Sequence, residues 1–308
     1  MENHQYVYLF EDADGTNKKR FGGKGAGLAE MTRMGLPVPP GLVITVDACR
    51  SYYQNNRKLP RGLMEAVLSG IKKIEEKMGK GFGDTRNPLL FSVRSGAALS
   101  MPGMMDTILN LGLNSRTIGG LIAQTGDDRF AYDAYRRFIQ LFGKIALGVD
   151  ERAFDEILNE VKTAAVVRLD VELSAERLWD ICDRYLSLIH QATGAPMPDD
   201  PHDQLKLSIE AVFKSWMGKR AVDYRRQFRI TPEQADGTAV NICAMVFGNL
   251  GADSATGVAF TRDPATGENT LYGEYLVNAQ GEDVVAGIRT PKPIFEMHQE
   301  LPEMVHEL

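Results

Sequence analysis

The sequence predicts an α/β fold of the α+β type that carries an inserted helical subdomain. Three observations predict this class. Strand-like and helix-like segments alternate in the N-terminal third, helical periodicity dominates from about residue 116 to residue 192, and β-rich runs return towards the C-terminal end. The length of 308 residues is enough for about two domains with a sizeable buried core.

Strands and helices alternate in the first predicted subdomain, residues 1–115. The predicted elements are a strand at 6–10, a helix at 25–35, a strand at 42–48, a helix at 63–78 and a strand at 91–96. In the first helix we expect Leu28, Met31 and Met34 to face the core, and Gly35 occupies the position of a C-terminal cap. The order at the start of the chain is therefore strand, helix, strand, helix.

Residues 116–196 are predicted to form the helical insert, because strand signals vanish there. Aromatic and apolar residues recur at spacings of three and four between Tyr132 and Phe142. A linker-like segment, TGAPMPDDP, closes this region.

Strand signals return in the last part of the chain. Residues 197–243 are predicted to rejoin the first subdomain, and residues 244–308 to form a second one. Three β-rich runs, beginning at Thr238, Ser254 and Thr270, are separated by turn residues. They predict an antiparallel meander.

Composition and charge exclude several classes of protein. A formal net charge of −6 repels a phosphate backbone, so nucleic acid is not an expected partner. The N-terminal stretch is acidic and no run of about 18 apolar residues follows, so we expect a cytoplasmic protein that does not contact a membrane. The cysteines and histidines lie in no paired or triad-like spacing and are assigned no chemistry.

A glycine cluster, Phe21-Gly-Gly-Lys-Gly-Ala-Gly27, opens the first predicted helix. Gly22 and Gly23 let the backbone approach an anion, the helix N-terminus points N–H groups at it, and Lys24 adds a point charge. The cluster matches neither G-x-x-x-x-G-K-[ST] nor G-x-G-x-x-G. Phosphate binding and a tight strand-to-helix turn are both compatible with it.

Arg94 lies in the next candidate segment, FSVRSG, at the end of an apolar strand. Its planar guanidinium can bind phosphate oxygens, and an ion pair at a strand end is the alternative. The loop that follows, 100–107, contains Pro102, Gly103 and three methionines. Such a loop suits an adaptable lid over a ligand, although methionines are more often used in core packing.

Two segments further along offer less specific candidates. The apolar run 244–249 is predicted to be a strand whose edge could pair with an adenine ring, or simply a core strand. Four side chains in 272–283 offer oxygen atoms for magnesium or ribose hydroxyls, and a solvated surface explains them equally well. These side chains are those of Glu274, Gln280, Glu282 and Asp283.

Four runs of the sequence together resemble one known family. They are RFGGKGAGLAEMTRMGLPVPPGLVIT, FGDTRNPLLFSVRSGAALSMPGMMDTILNLGLN, DRFAYDAYRRFIQLFG and TGVAFTRDPATGENTLYGEYLVNAQGEDVVAGIRTP. The chain resembles the N-terminal nucleotide-binding part of the pyruvate phosphate dikinases over nearly its whole length. The MPGMMDT run separates it from phosphoenolpyruvate synthases and antibiotic phosphotransferases, which carry a different sequence after their VRS.

The resemblance implies an ATP-grasp-like nucleotide-binding domain. Residues 1–115 and 197–243 would form its first subdomain, 116–196 the helical insert, and 244–308 a second subdomain that is incomplete at its C-terminal end. In this family ATP and orthophosphate give AMP and pyrophosphate, and a phosphoryl group is left on a histidine of a separate domain. That group then passes to pyruvate, held by a barrel domain, and forms phosphoenolpyruvate.

Residue roles also follow from the resemblance. Lys24 and Arg94 match the positions that contact phosphates and act in catalysis. The other nucleotide-binding positions it implies are Gly22, Gly23, Gly103, Met104, Asp106, Thr107, Met245, Val246, Phe247, Gln280 and Glu282. The loop residues would fold over the phosphates, residues 245–247 would line the base, and the last two would lie near the ribose or adenine.

Magnesium, bound with ATP, is the cofactor that the resemblance implies. Its acidic ligands are expected in a D-x-E-type strand beyond residue 308, so no metal ligand is assigned in this chain. The phosphohistidine domain and the pyruvate barrel are expected as partners, and we expect the 308 residues alone to be monomeric and inactive in the full reaction. The alternatives are a non-catalytic nucleotide-sensing or docking module and a phosphoenolpyruvate synthase-type phosphotransferase.

Overall fold

The structure, a computed structural model, describes residues 5–285 and 289–308, without the side chains of Glu282 and Val285. The chain divides into two compact units, Met1–Met245 and Val246–Leu308. Each unit has its own antiparallel sheet, and each is described separately below.

The first unit combines a sheet with a set of helices. Its elements are β1 (Val7–Leu9), a 3-10 turn (Phe10–Asp12), α1 (Lys18–Arg33), β2 (Gly41–Ile44), α2 (Val46–Gln54), α3 (Leu63–Met78), β3 (Phe91–Ala97), β4 (Thr107–Leu111), α4 (Thr117–Thr125), α5 (Asp128–Ile145), α6 (Glu151–Ala165), a 3-10 turn (Asp170–Glu172), α7 (Ala175–Thr193), α8 (Pro201–Ser215), α9 (Lys219–Gln227) and β5 (Thr238–Ala244).

The strands form one sheet in the order β1-β2-β5-β3-β4, with every neighbouring pair antiparallel. Side chains alternate between the two faces of a strand, and a different helix covers each face. A Cβ atom added at Gly25 of α1 would lie 2.9 Å from the Val43 side chain, whereas one at Gly70 of α3 would lie 2.7 Å from Leu42. Because both faces are covered, β2 is buried along its whole length.

Helices α4 to α7 follow β4 in the chain, and α5 contacts both β4 and α7. The packing of α6 on α7 includes an edge-to-face contact between Phe154 and Tyr185, whose ring centroids lie 4.9 Å apart. A buried ion-pair network lies on α5, where Asp133 accepts hydrogen bonds from Arg136 at 2.7 Å and from Arg137 at 3.0 Å. The predicted helical character of this region is therefore confirmed.

The second unit is a small sheet with short helices. Its elements are β6 (Ala255–Phe260), β7 (Tyr272–Val277), α10 (Gly281–Val285), β8 (Lys292–Pro293), a 3-10 turn (Ile294–Glu296), α11 (Met297–Glu300) and α12 (Pro302–Glu307). The strands lie in the order β6-β7-β8. The hydroxyl group of the buried Tyr275 donates a hydrogen bond to the Glu300 carboxylate at 3.0 Å, and this bond links β7 to α11.

The helix predicted at 63–78 is confirmed as α3, but two predictions near the start of the chain are wrong. Met34 is 71% exposed and Met31 is also exposed, because small residues, Ala26 and Ala29, provide the buried face of α1 where it packs closely on the sheet. The strand predicted at 42–48 ends at Ile44, and the residues after Thr45 form α2 instead.

The predicted antiparallel meander is confirmed for β6 and β7 and is wrong for β5. Strand β5 pairs with β2 and β3 in the first sheet, whereas β6 and β7 pair with each other in the second. The apolar run predicted as a strand over 244–249 leaves the ladder after Ala244, and the following residues are not in a strand. Strand partners are chosen by long-range packing, which local composition does not encode.

Candidate phosphate site

Helix α1 is interrupted at Gly22, close to the end of β3. The Gly22 backbone has φ 70° and ψ 163°, outside the helical region, and residues with a side chain rarely adopt this conformation. A Cβ atom there would stand 1.8 Å from the carbonyl oxygen of Gly96. The interruption lets the helix restart at Gly23, so a helix N-terminus lies beside the end of β3.

A cavity of about 660 Å³ lies between this helix start, the end of β3 and the loop that joins β3 to β4. Gly23 and Lys24 line it from α1, and Gly103 and Thr107 line it from the loop and from β4. The structure thus brings together four of the predicted site residues, although they are separated by about 80 positions in the chain.

Lys18 and Lys24 line the cavity, and Arg94, which is not part of its lining, lies on the same side of the sheet as Lys24. Residues two apart on a strand face the same way, so Arg94 shares the face of Gly96, and a Cβ atom at Gly96 would lie 3.5 Å from Lys24 Cβ. The side chains of Lys24 and Arg94 are exposed, and neither forms a hydrogen bond or an ion pair within the described residues. The ion pair considered for Arg94 is therefore not found there.

The surroundings of Lys24 destabilise its charged form, and a bound anion would stabilise that form. Desolvation by the surrounding atoms, together with the like charge of Arg94, lowers the pKa of Lys24 to about 8. Two neighbouring cations with no acidic partner among the described residues are poorly stabilised on their own, and a bound anion would supply the missing negative charge. The chemistry of the site is therefore that of an anion site rather than of a metal site.

The loop over the cavity is shaped by a tight turn. Met104 N–H donates to the Met101 carbonyl at 3.1 Å, and Gly103 between them has φ 71°. Proline at the second and glycine at the third position of such a turn are the residues of a type II turn, as the sequence Met-Pro-Gly-Met supplies. Met101 and Met105 line the cavity, whereas Met104 and Asp106 lie outside its lining.

Asn241 in β5 lies beneath the Lys24 turn, although no local pattern in the sequence points to it. It is fully buried, and neither atom of its amide group has a hydrogen-bond partner in the described part of the chain. A Cβ atom added at Gly25 or at Gly96 would lie 2.7 Å from the Asn241 amide group. In the sheet, Asn241 lies directly opposite Arg94 of the neighbouring strand. An unpaired buried amide is costly, and this one lies directly beneath the Lys24 turn.

The remaining predicted positions are not among the residues that line this cavity. Residues 245–247 follow β5, with Val246 exposed. In the second unit, Gln280 is buried, its side-chain amide has no partner among the described residues, and its N–H donates to Asp283 at 2.9 Å. The side chain of Glu282 lies outside the described residues. Gly22 packs against β3 and does not line the cavity.

Metal-ligating side chains do not converge in the part of the chain that is described: no three His, Cys, Asp or Glu residues there form a group that could hold an ion. Across residues 5–285 and 289–308, no helix is both long enough and apolar enough to cross a membrane.

Comparison with known proteins gives one family. The model of the family described as "Pyruvate phosphate dikinase, AMP/ATP-binding domain" matches residues 18–66 and 57–307. The chain is 60% identical to a pyruvate, phosphate dikinase of Entamoeba histolytica over 96% of its length, 54% identical to one of Rhizobium meliloti over 95%, and 47% identical to one of Clostridium symbiosum over 97%. It spans about a third of the length of these relatives, 33%, 33% and 34% in the same order.

Proposed function

The chain belongs to the pyruvate phosphate dikinase AMP/ATP-binding domain family, and on that premise we propose that it binds ATP with the phosphate chain in the cavity beside Lys24 and Arg94. The single observation that carries this proposal is that Lys24 lines the cavity with Arg94 close enough to lower its pKa, while neither cation has an acidic partner among the described residues. The proposed role is the ATP side of a dikinase.

Arg94 and Lys24 would contact the phosphates in different ways because their charged groups differ in shape. The planar guanidinium of Arg94 can hold two phosphate oxygens at once, whereas the ammonium of Lys24 acts as a point charge. Phosphoryl transfer leaves little covalent work for the protein, so neutralising and orienting the oxygens is the main contribution. The N–H groups at the start of the helix at Gly23 add donors to the same anion.

The loop over the cavity supplies the other requirement of the reaction. A phosphoryl group on its way to another acceptor must be protected from water. Met101, Pro102, Gly103 and Met105 line the cavity from the loop side, so this segment can exclude water once a nucleotide is bound. Thr107, at the start of β4, adds a hydroxyl group to the lining.

The adenosine would be bound by the predicted positions outside the cavity. Residues 245–247 leave the ladder of β5 and can offer apolar contacts to a base. Gln280 supports a polar contact, because its buried amide has no partner in the described part of the chain and a ribose hydroxyl or an adenine edge would satisfy it. Glu282 is proposed as its neighbour from the sequence match alone.

Magnesium would enter as the complex with ATP, and when bound it neutralises phosphate oxygens. No group of metal-ligating side chains lies among the described residues, so the proposed contribution of this chain is to hold the phosphates of that complex. The proposed substrates are ATP and orthophosphate, with AMP and pyrophosphate as products. The phosphoryl group would pass to a histidine of a separate domain and then to pyruvate at a barrel domain. A monomeric chain and a cytoplasmic location stay predictions, since some relatives are named as chloroplastic forms.

Calorimetric titration of Mg-ATP into the 308-residue chain tests the proposal. We expect binding that weakens about tenfold or more in Lys24→Ala and in Arg94→Ala, because each variant removes a charged contact with a phosphate. Lys72→Ala, which removes an exposed lysine on α3, is the matched control and should bind as the unaltered chain does. Equal affinity in all four proteins would overturn the proposal.

A further inference from the structure

Arg220, at the start of α9, forms hydrogen bonds with the loop that covers the cavity. Its guanidinium donates one hydrogen bond to the Asp106 carboxylate at 2.8 Å and another to the Gly103 carbonyl oxygen at 3.3 Å. Nothing in the local sequence around Arg220 singles it out, since it lies 114 and 117 positions from its two partners.

These contacts are what tie the loop to the rest of the molecule. Among the described residues, the hydrogen bonds that join 99–106 to elements outside the loop are the two from Arg220, and the remaining one, from Met104 to Met101, lies within the loop. The segment is otherwise positioned by apolar contacts such as that of the buried Met101. A loop with so few anchors is sensitive to the loss of one.

Helix α9 is itself firmly attached, so it can serve as the fixed side of this contact. Arg225 lies over the ring of Trp216 at 3.8 Å from its centroid and donates to the Trp216 carbonyl at 2.8 Å. Trp216 is buried, as is Ala221 in the first turn of the helix. Arg220 therefore connects the loop to a rigid element.

We propose that Arg220 is a positioning residue for nucleotide binding, which holds the 99–106 loop over the cavity and neutralises Asp106. This inference rests on the proposed function. The neutralisation matters because Asp106 directly precedes Thr107, which lines the cavity, and a free carboxylate there would repel a polyphosphate. The two hydrogen bonds matter because one planar guanidinium holds the Asp106 carboxylate and the Gly103 carbonyl oxygen at a fixed spacing.

The test combines two measurements on the 308-residue chain. Hydrogen exchange of the loop amides measures how firmly Arg220 holds the loop. Calorimetric titration with Mg-ATP measures whether this contact changes the affinity for the nucleotide. In Arg220→Ala we expect faster exchange confined to 99–106 and an affinity for Mg-ATP that is about two- to fivefold weaker, in the range of a partly exposed ion pair. Exchange in β3 and the melting temperature should stay unchanged, because Arg220 is exposed.

Two further variants separate positioning from a general effect of charge. Arg220→Lys keeps the charge beside Asp106 but loses the fixed fork, so we expect it to recover most of the affinity while the loop amides still exchange faster than in the unaltered chain. Arg226→Ala is the matched control, since it removes an arginine of the same helix that pairs with Asp223 and not with the loop. It should change neither measurement.

The possible results distinguish the two proposals. Unchanged exchange and unchanged affinity in Arg220→Ala, in a series where Lys24→Ala still loses ATP, would overturn the role of Arg220 and leave the ATP site intact. Equal losses in Arg220→Ala and Arg226→Ala would also overturn it, as a nonspecific charge effect. If the unaltered chain and every variant fail to bind Mg-ATP, the proposed function itself fails, whatever the loop amides show.

Discussion

Gly22 of α1 packs directly against the backbone carbonyl of Gly96 in β3, with no room for a side chain between them. This contact between two backbones determines how closely the Lys24 turn approaches the sheet. Since the cavity lies between that turn and the end of β3, the absence of a side chain at Gly22 is a condition for the geometry of the site.

Gly22→Ala should therefore be strongly destabilising. The added methyl group meets a carbonyl oxygen at 1.8 Å, and the positive φ of 70° is unfavourable for alanine. We expect a loss of about 2–4 kcal/mol in the free energy of unfolding, measured by urea denaturation. Gly27→Ala is the control in the same helix, where nothing lies within 4 Å and a gain of about 0.5–1 kcal/mol is expected. Similar values for the two variants would contradict this account.

The affinity for Mg-ATP should depend on pH through Lys24. Its pKa of about 8 in the free chain means that the side chain is charged below pH 8 and neutral above. The charged form binds the anion more tightly, so affinity should be level below pH 8 and fall above it, by up to about tenfold per pH unit, towards the affinity of a chain with a neutral side chain at this position. Titrations at several pH values check this.

Two variants make the pH prediction specific. Lys24→Met has no ionisable group at this position, so its weaker affinity should no longer fall above pH 8. Lys18→Ala removes another lysine that lines the same cavity and should keep the fall. A fall of the same size in Lys24→Met would assign the titration to a different group.

Arg94→Lys should impair binding although it conserves the charge. A lysine cannot reproduce the planar two-point contact of a guanidinium with phosphate oxygens, so we expect at least about a tenfold weaker affinity for Mg-ATP by calorimetry. Arg116→Lys, at an exposed ion pair with Asp199, is the control and should have no effect. Affinity within about twofold of the unaltered chain would show that Arg94 contributes charge alone.

Asp133 should contribute to the stability of the helical region. It is buried between Arg136 and Arg137, whose charges and hydrogen bonds outweigh its desolvation and hold its pKa well below the usual range. Asp133→Asn leaves Arg136 buried with less compensation, so a loss of about 3–5 kcal/mol is expected in urea denaturation at pH 7. Asp223→Asn, at an exposed ion pair, should cost less than about 1 kcal/mol.

The sign of the pH effect at Asp133 follows from the same lowered pKa. A carboxyl group whose pKa is lower in the folded chain stabilises the fold fully above its unfolded value of about 3.9 and loses that contribution as the pH falls below it. The difference in stability between the unaltered chain and Asp133→Asn should therefore shrink as the pH is lowered from about 4 towards 2. A difference that stays constant over this range would contradict the prediction.

Local patterns predicted the helices well. The apolar periodicity over 63–78 predicted α3, and similar periodicity predicted the helices after residue 116. Both predictions were possible because the spacing of apolar residues along a helix shows which face it buries. The loop at 100–107 was predicted for a similar reason, since proline and glycine restrict or extend the backbone of their own residues. Lys24 and Arg94 were predicted as site residues because each lies in a short, distinctive segment, and their role stays a proposal.

Strand pairing and the contacts of the site were decided only by the tertiary structure. The insertion of β5 between β2 and β3 brings Asn241 under the Lys24 turn, and the chain returns through α9 to bring Arg220 to the loop. The sequence by itself determined which segments are helical, where the backbone can turn and which residues carry charge, because these properties depend on neighbours in the chain. Only the folded structure determined which charges lack partners and which amide is buried without one, because those properties depend on residues more than a hundred positions away.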